Sequence, residues 1–165
     1  GAFEDRGAQH IDIVRVRAFS HAGPGQEPRF VVPSFAQQIA AIEAGKREPE
    51  LQVGNLEVTR DFTDVRDVVR AYVALLERGR AGGAYNVCRG EGVRLTEMVR
   101  RLTALARVEE RGVMDPARVR PADVPWLVGD PSAIAGDTGW RAEIPLEQTL
   151  ADVLGEWRAR ERASG

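Results

Sequence analysis

Short segments with the composition of β-strands alternate with segments of helical periodicity along most of this chain of 165 residues. The segment IDIVRVRAF, residues 11–19, is rich in β-branched residues and predicts a buried strand. Strands that alternate with helices are typical of α/β folds, in which helices connect the strands of a parallel sheet. The pattern therefore predicts an α/β protein.

Capping residues and apolar periodicity set the expected bounds of the helices. The expected helices run from Pro33 to about Gly45, from Thr63 or Asp64 to Arg78, from Leu95 to Leu105, from Pro131 to about Gly136, and onward from Pro145. In the second helix, Val65, Val68, Val69 and Tyr72 recur at helical spacing. We expect this stripe to face the core.

Further strands are expected between these helices. The segment ELQVGNLEVTRDF predicts two short strands around a Gly-Asn turn, and AYNVC and RGVMD predict one strand each. Cys88, the single cysteine, lies in an apolar run and is expected to be a buried thiol. Two histidines and one cysteine give no usual zinc ligand set, so no metal site is predicted.

Charge and hydropathy exclude several classes of partner. The formal net charge is −2, and the arginines are scattered among acids, which argues against nucleic-acid binding. No apolar run approaches the roughly 20 residues of a membrane span, and no signal-peptide pattern opens the sequence. We therefore expect a cytoplasmic protein that does not bind membranes.

Two arginines lie in turn-rich rather than helical surroundings, at Arg60 and Arg120. A guanidinium group offers forked, permanently charged donors that match the oxygens of a diphosphate. Asp123 follows closely, and a carboxylate can accept hydrogen bonds from the two hydroxyls of a ribose. The alternative is that each arginine is a surface residue paired with a nearby acid, Asp61 or Asp123.

An ordered series of segments resembles the extended short-chain dehydrogenase/reductase family, in particular its sugar-nucleotide dehydratases, epimerases and 4-keto reductases. The segments are VRVRAFSHAGPGQ, FVVPSFAQQIA, VGNLEVTRDFTDVRDVVRAY, AYNVCRGEGVRL, DPARVRPADVPWLVGDPSAI, TGW and IPLEQTL. They extend from about Asp12 to Trp157 and are most similar to the group acting on GDP-mannose and its 4-keto-6-deoxy derivative. The resemblance implies the C-terminal part of such an enzyme.

This resemblance implies a division of the chain. Residues 1–25 would be the end of a Rossmann core, with strand 11–19 and its loop. Residues 26–165 would form a small α/β domain that binds a nucleotide sugar, with a strand and a helix that return to the Rossmann core.

The resemblance also implies roles for individual residues. Phe19 and His21 would border the nicotinamide of NAD or NADP, and Ser20, where the family has asparagine, would touch the sugar. Val32 and Pro33 would lie along the nucleotide base.

On the same basis, Asn55 and Leu56 would lie near the nucleoside. Arg60 and Arg120 would hold the diphosphate, and Asp123 would hold the ribose. A GDP-sugar is the favoured substrate, and the full-length form is expected to be a homo-oligomer.

Two motifs of the family do not occur in this sequence: the glycine-rich G-x-x-G-x-x-G loop and the Tyr-x-x-x-Lys pair. Lys46 is the only lysine, and Ile42 stands where the tyrosine would be. We therefore expect an NAD(P)-dependent parent enzyme, but no hydride transfer by this chain alone. The alternatives are a nucleotide-sugar binding module without catalysis, which stands alone or joins a partner, and part of a UDP- or dTDP-sugar epimerase or dehydratase.

Overall fold

Helices and short strands alternate in the structure, a computed structural model that describes residues 12–107, 111–115 and 124–164. The helices are α1 (Val31–Glu43), α2 (Val65–Arg78), α3 (Leu95–Thr103), α4 (Ser132–Thr138) and α5 (Leu146–Ala163). The strands are β1 (Arg15–Ala18), β2 (His21–Ala22), β3 (Glu50–Val53), β4 (Thr59–Asp61), β5 (Thr63–Asp64), β6 (Ala84–Val87), β7 (Gly92–Arg94), β8 (Arg111–Met114) and β9 (Trp126–Leu127). The predicted α/β class is confirmed.

Local signals place most helix ends where the sequence predicted them. Asp64 precedes α2 and accepts a hydrogen bond from the backbone N–H of Arg66 at 2.8 Å. The first helix begins at Val31 rather than Pro33, because the chain turns helical directly after the extended residue Phe30. The helix α4 ends at Thr138, past Gly136, and is followed by Gly139 at φ 75°.

The strands form several small sheets. Strand β1 pairs in parallel with β6, β2 with β5, and β3 with β8. Strand β4 lies between antiparallel β7 and parallel β9. The strands on either side of the Gly-Asn turn, β3 and β4, belong to different sheets. The turn therefore does not close a hairpin.

Two apolar cores support these sheets. In the larger core, α1, α3 and α5 pack together, with Ile39, Leu102 and Leu150 at its centre. The smaller core lies between α2, α4 and β6 and contains Tyr85 and Ile134. Within the described residues, no helix is both long enough and apolar enough to cross a membrane.

Two predictions about burial are wrong. All residues of β1 are exposed, although the sequence predicted a buried strand. On α2, Val68 is buried as expected, but Val69 and Tyr72 are 56% and 42% exposed. The side of α2 that faces the smaller core instead carries Ala71 and Leu75 beside Val68. Periodicity identified an apolar face, but the packing of α2 against β6 and α4 buries the neighbouring side of the helix.

Candidate functional site

A cavity of about 700 Å³ opens beside the first turn of α1. Most of the residues predicted to form a binding site line it: Phe19, Ser20, His21, Val32, Asn55, Leu56 and Arg60. Pro33 is buried in α1 but is not a lining residue. Arg120 and Asp123 lie outside the described residues. The cavity has the size of a typical small-molecule site.

Arg60 is held on β4, the middle strand of its sheet. Its neighbours Thr59 and Asp61 are buried, and alternation along the strand places Arg60 on the opposite face, where it lines the cavity. Its Nη1 donates hydrogen bonds to the carbonyl oxygens of Thr59, at 2.9 Å, and of Val124, at 2.7 Å. These two hydrogen bonds hold the guanidinium group at the cavity, on the central strand of its sheet.

Asp61 is fully buried and binds backbone groups of two neighbouring loops. It accepts hydrogen bonds from the N–H groups of Arg89 and Gly90, both at 2.9 Å, and from that of Gly129 at 3.3 Å. The sequence indicated Asp61 only as a nearby acid for an ion pair with Arg60. Its carboxylate instead connects the strand that carries Arg60 to both loops through these three hydrogen bonds.

Phe19 and His21 lie close together among the residues that line the cavity. Nδ1 of His21 is 3.0 Å from the carbonyl oxygen of Phe19. Because a carbonyl can only accept, Nδ1 is the donor of this hydrogen bond. A Cβ atom at Gly129 would lie 2.8 Å from Cζ of Phe19, so only glycine allows the loop to approach the ring this closely.

The same approach encloses Cys88, because a Cβ atom at Gly129 would lie 2.4 Å from its Sγ. Cys88 is buried, as predicted. Burial raises the pKa of its thiol to about 12. The thiol is therefore protonated near neutral pH and unsuited to act as a nucleophile.

Asp64 lies on β5, the strand that pairs with the strand of His21. Its strand β5 pairs with β2, which places Thr63 opposite His21. Burial by itself raises the pKa of Asp64, but hydrogen bonds from Arg66 and Thr149 outweigh it, and the pKa lies below its ordinary value. The hydroxyl group of Thr149, on α5, donates to the carboxylate at 2.7 Å. One ionised carboxylate thus joins α2 and α5.

Several lining residues were not predicted from the sequence, among them Gln52 and Phe62. Gln52 lies on β3 between buried Leu51 and Val53, and the Gln38 side chain binds its backbone N–H and carbonyl groups. A polar residue in an alternating strand, just before the Gly-Asn turn, was the signal available for Gln52. Phe62 carried no such signal.

The described lining residues of the cavity include two arginines, Arg29 and Arg60, and no aspartate or glutamate. Arg29 is paired with Glu27, an exposed acid outside the lining, at 2.9 Å. Arg29 lies over the ring of Phe30, with 5.0 Å between the guanidinium carbon and the ring centroid. The remaining described lining residues are mainly apolar, with a few amide and hydroxyl groups. The cavity can therefore accommodate a ligand with an anionic part beside Arg60 and a weakly polar part elsewhere.

Parallel strand pairs with helices and a cavity beside them are features of the extended short-chain dehydrogenase/reductases. Comparison with solved structures gives the same fold. RMD from Pseudomonas aeruginosa complexed with NADPH matches with a TM-score of 0.84 and 39% identity, over 89% of this chain and 48% of that one. The chain belongs to the GDP-mannose 4,6 dehydratase family, whose family model matches residues 4–153.

Curated relatives include GDP-6-deoxy-D-mannose reductase from Pseudomonas aeruginosa, which is 41% identical over 91% of this chain and 49% of its own length. UDP-glucose 4-epimerase from Bacillus subtilis is 30% identical over 81% of this chain and 41% of its own length. The chain thus spans about half the length, or less, of these relatives.

Proposed function

We propose that this chain forms the nucleotide-sugar-binding part of an NAD(P)-dependent dehydratase or 4-keto reductase that acts on a GDP-mannose-type substrate. The observation that carries the proposal is the cavity of about 700 Å³, which is lined by Arg60 from the central strand of a sheet and has no carboxylate among its described lining residues. The similarity to a GDP-6-deoxy-D-mannose reductase supports a GDP-sugar.

The proposed ligand would extend along the cavity from Arg60 to the first turn of α1. Arg60, together with Arg120, would hold the diphosphate, because guanidinium groups give bidentate, charge-assisted hydrogen bonds to such oxygens. Asp123 would bind the ribose. Val32, with Pro33 behind it, would support the base.

The other predicted residues would complete the binding of the nucleoside, the sugar and the cofactor. Asn55 and Leu56 would lie beside the nucleoside, and Ser20 would contact the sugar. Phe19 and His21 would border the nicotinamide ring of NAD or NADP, whose role would be to accept or donate hydride. Since the sequence has no glycine-rich loop and no Tyr-x-x-x-Lys pair, we propose that these 165 residues alone bind the nucleotide sugar without turning it over.

Calorimetric titration of the chain with GDP-mannose tests the proposal. Loss of a charge-assisted hydrogen bond costs about 1.5–3 kcal/mol, so Arg60→Ala should weaken binding by about tenfold or more. Arg94→Ala is the matched control, because Arg94 lies on the adjacent strand β7 and pairs with the exposed Glu57 at 3.6 Å. Equal affinities of the wild type and Arg60→Ala would refute the role of Arg60.

The same titration distinguishes the second candidate, part of a UDP-sugar epimerase, which the identity to UDP-glucose 4-epimerase favours. Tighter binding of UDP-glucose than of GDP-mannose would support that candidate. Failure of the chain to bind either nucleotide sugar would overturn the proposed function.

A further inference from the structure

One residue of the cavity lining, Gln52, carries a polar side chain to which the proposed function gives no role. It lies on β3 between Leu51 and Val53, which are 1% and 5% exposed and belong to the larger core. Side chains alternate along a strand, so the side chain of Gln52 lies on the opposite side of β3, where it lines the cavity. A strand whose other side packs in the core thus presents one amide group to the cavity.

The backbone of Gln52 is held by Gln38, a residue of α1 that is 4% exposed. The Oε1 atom of Gln38 accepts a hydrogen bond from the N–H group of Gln52 at 2.8 Å, and its Nε2 donates one to the carbonyl oxygen of Gln52 at 3.3 Å. Ser34, four residues before Gln38, lies on the same side of α1 and also lines the cavity. Gln38 therefore holds Gln52 beside the side of α1 that faces the cavity.

The other amide side chains of the described lining already bind protein groups. The Oδ1 atom of Asn55 accepts a hydrogen bond from the N–H group of Glu57 at 3.0 Å. The Nε2 atom of Gln26 donates to the carbonyl oxygen of His21 at 3.2 Å, and its Oε1 is buried away from solvent. Among the described residues, Gln52 hydrogen-bonds through its backbone alone. Both ends of its side-chain amide are therefore available to a ligand.

We propose that the side-chain amide of Gln52 hydrogen-bonds the edge of the nucleobase, and that Gln38 is the residue that positions it. This inference rests on the proposed function, in which the base lies along the first turn of α1 beside Val32. An amide has a donor and an acceptor side by side. Guanine presents its N1–H donor beside the O6 acceptor, and uracil presents N3–H beside O4. The amide of Gln52 can therefore form two hydrogen bonds with either base.

A carboxylate in place of this amide would distinguish the two bases. Guanine has two adjacent donors, N1–H and the N2 amino group, and a carboxylate can accept a hydrogen bond from both. In uracil the single N3–H donor lies between two carbonyl oxygens, and a carboxylate that faces this edge is repelled by one of them. Gln52→Glu should therefore favour GDP over UDP.

Calorimetric titration of the full chain of 165 residues with GDP and with UDP tests the proposal. We expect Gln52→Glu to raise the ratio of GDP affinity to UDP affinity by about tenfold or more relative to the wild type. Gln52→Met keeps the length of the side chain but has no amide, so it should weaken the binding of both nucleotides. Gln37→Glu is the matched control, because Gln37 lies on α1, is not a lining residue and receives the same change of charge. Its affinity ratio should equal that of the wild type.

Gln38→Leu tests the positioning role. It removes both hydrogen bonds to the backbone of Gln52 and leaves an apolar side chain in the buried position. The double variant Gln38→Leu/Gln52→Glu should therefore have a lower affinity ratio than Gln52→Glu alone, because the displaced carboxylate no longer faces the base. An equal ratio in the two variants would overturn the positioning role of Gln38.

The role of Gln52 can fail while the proposed function stands. If Arg60→Ala weakened GDP binding but Gln52→Glu kept the affinity ratio of the wild type, the base contact alone would be overturned. An equal rise of the ratio in Gln37→Glu would likewise overturn it, because charge rather than contact would be the cause. Unfolding in urea identifies a variant that does not fold. If Gln52→Glu does not fold, Gln52→Met decides, and unchanged binding of both nucleotides would refute the contact. Failure of the wild type to bind either nucleotide would overturn both the inference and the proposed function.

Discussion

At the scale of single residues, the buried carboxylate of Asp61 holds the strand that carries Arg60 against two loops. Asp61→Asn would replace one acceptor oxygen by an NH₂ donor that faces backbone N–H groups of Arg89, Gly90 or Gly129. A buried group left without its partner costs about 1–3 kcal/mol, and more when charge is involved. We expect the free energy of unfolding in urea to fall by about 3 kcal/mol.

The matched control for this substitution is Glu57→Gln, because the side chain of Glu57 is 73% exposed. Exposed ion pairs contribute little to stability, so this variant should unfold at nearly the urea concentration of the wild type. If Asp61→Asn were as stable as Glu57→Gln, the three backbone hydrogen bonds would not support the site.

At the scale of elements, one ion pair joins α1 to α5. Glu43 accepts two hydrogen bonds of 2.7 Å from Arg158, and their side chains are 9% and 19% exposed. These hydrogen bonds lower the pKa of Glu43, although burial opposes them. The stabilisation is therefore complete above the unfolded pKa of about 4.3 and is lost as the pH falls through the lower pKa of the folded state.

Glu43→Gln should remove this contribution, so its unfolding free energy should change less than that of the wild type as the pH falls below about 5. The comparison is a series of urea titrations across that range. Glu77→Gln removes an exposed carboxylate paired with Arg78 and serves as the control, with a pH dependence close to that of the wild type. If the free energies of unfolding of Glu43→Gln and the wild type changed equally with pH, the ion pair with Arg158 would not be the source of this pH dependence.

Local signals in the sequence predicted most of the bounds of the helices. They did not predict which elements pack against each helix. Asp64 precedes α2 and the helix ends at Arg78, both as predicted, because caps act within one turn of the chain. The exposure of Val69 and Tyr72 depends on which parts of the sheet lie beside α2, and periodicity carries no such information. Most of the residues that the resemblance assigned to the site line the cavity, but the sequence did not point to Gln52, whose position depends on the packing of β3 against α1.

At the scale of the whole molecule, the two cores differ in size and in the exposure of the elements around them. Among the described residues, the larger cluster has 19 buried apolar members, whereas the smaller one has 8. The smaller core also underlies β1 and α2, whose outer surfaces are exposed. Regions with few buried apolar contacts open at lower free energy than the rest of a protein.

We therefore expect backbone amides of α2 and β6 to exchange with deuterium faster than those of α1 and α5, when measured by mass spectrometry at equal pH and temperature. The control is α3, which packs in the larger core through Met98 and Leu102 and should exchange like α1. Equal protection of α2 and α5 would mean that the chain unfolds as one cooperative unit despite the exposed face. Faster exchange confined to α2 and β6 would mean that the smaller core opens by itself.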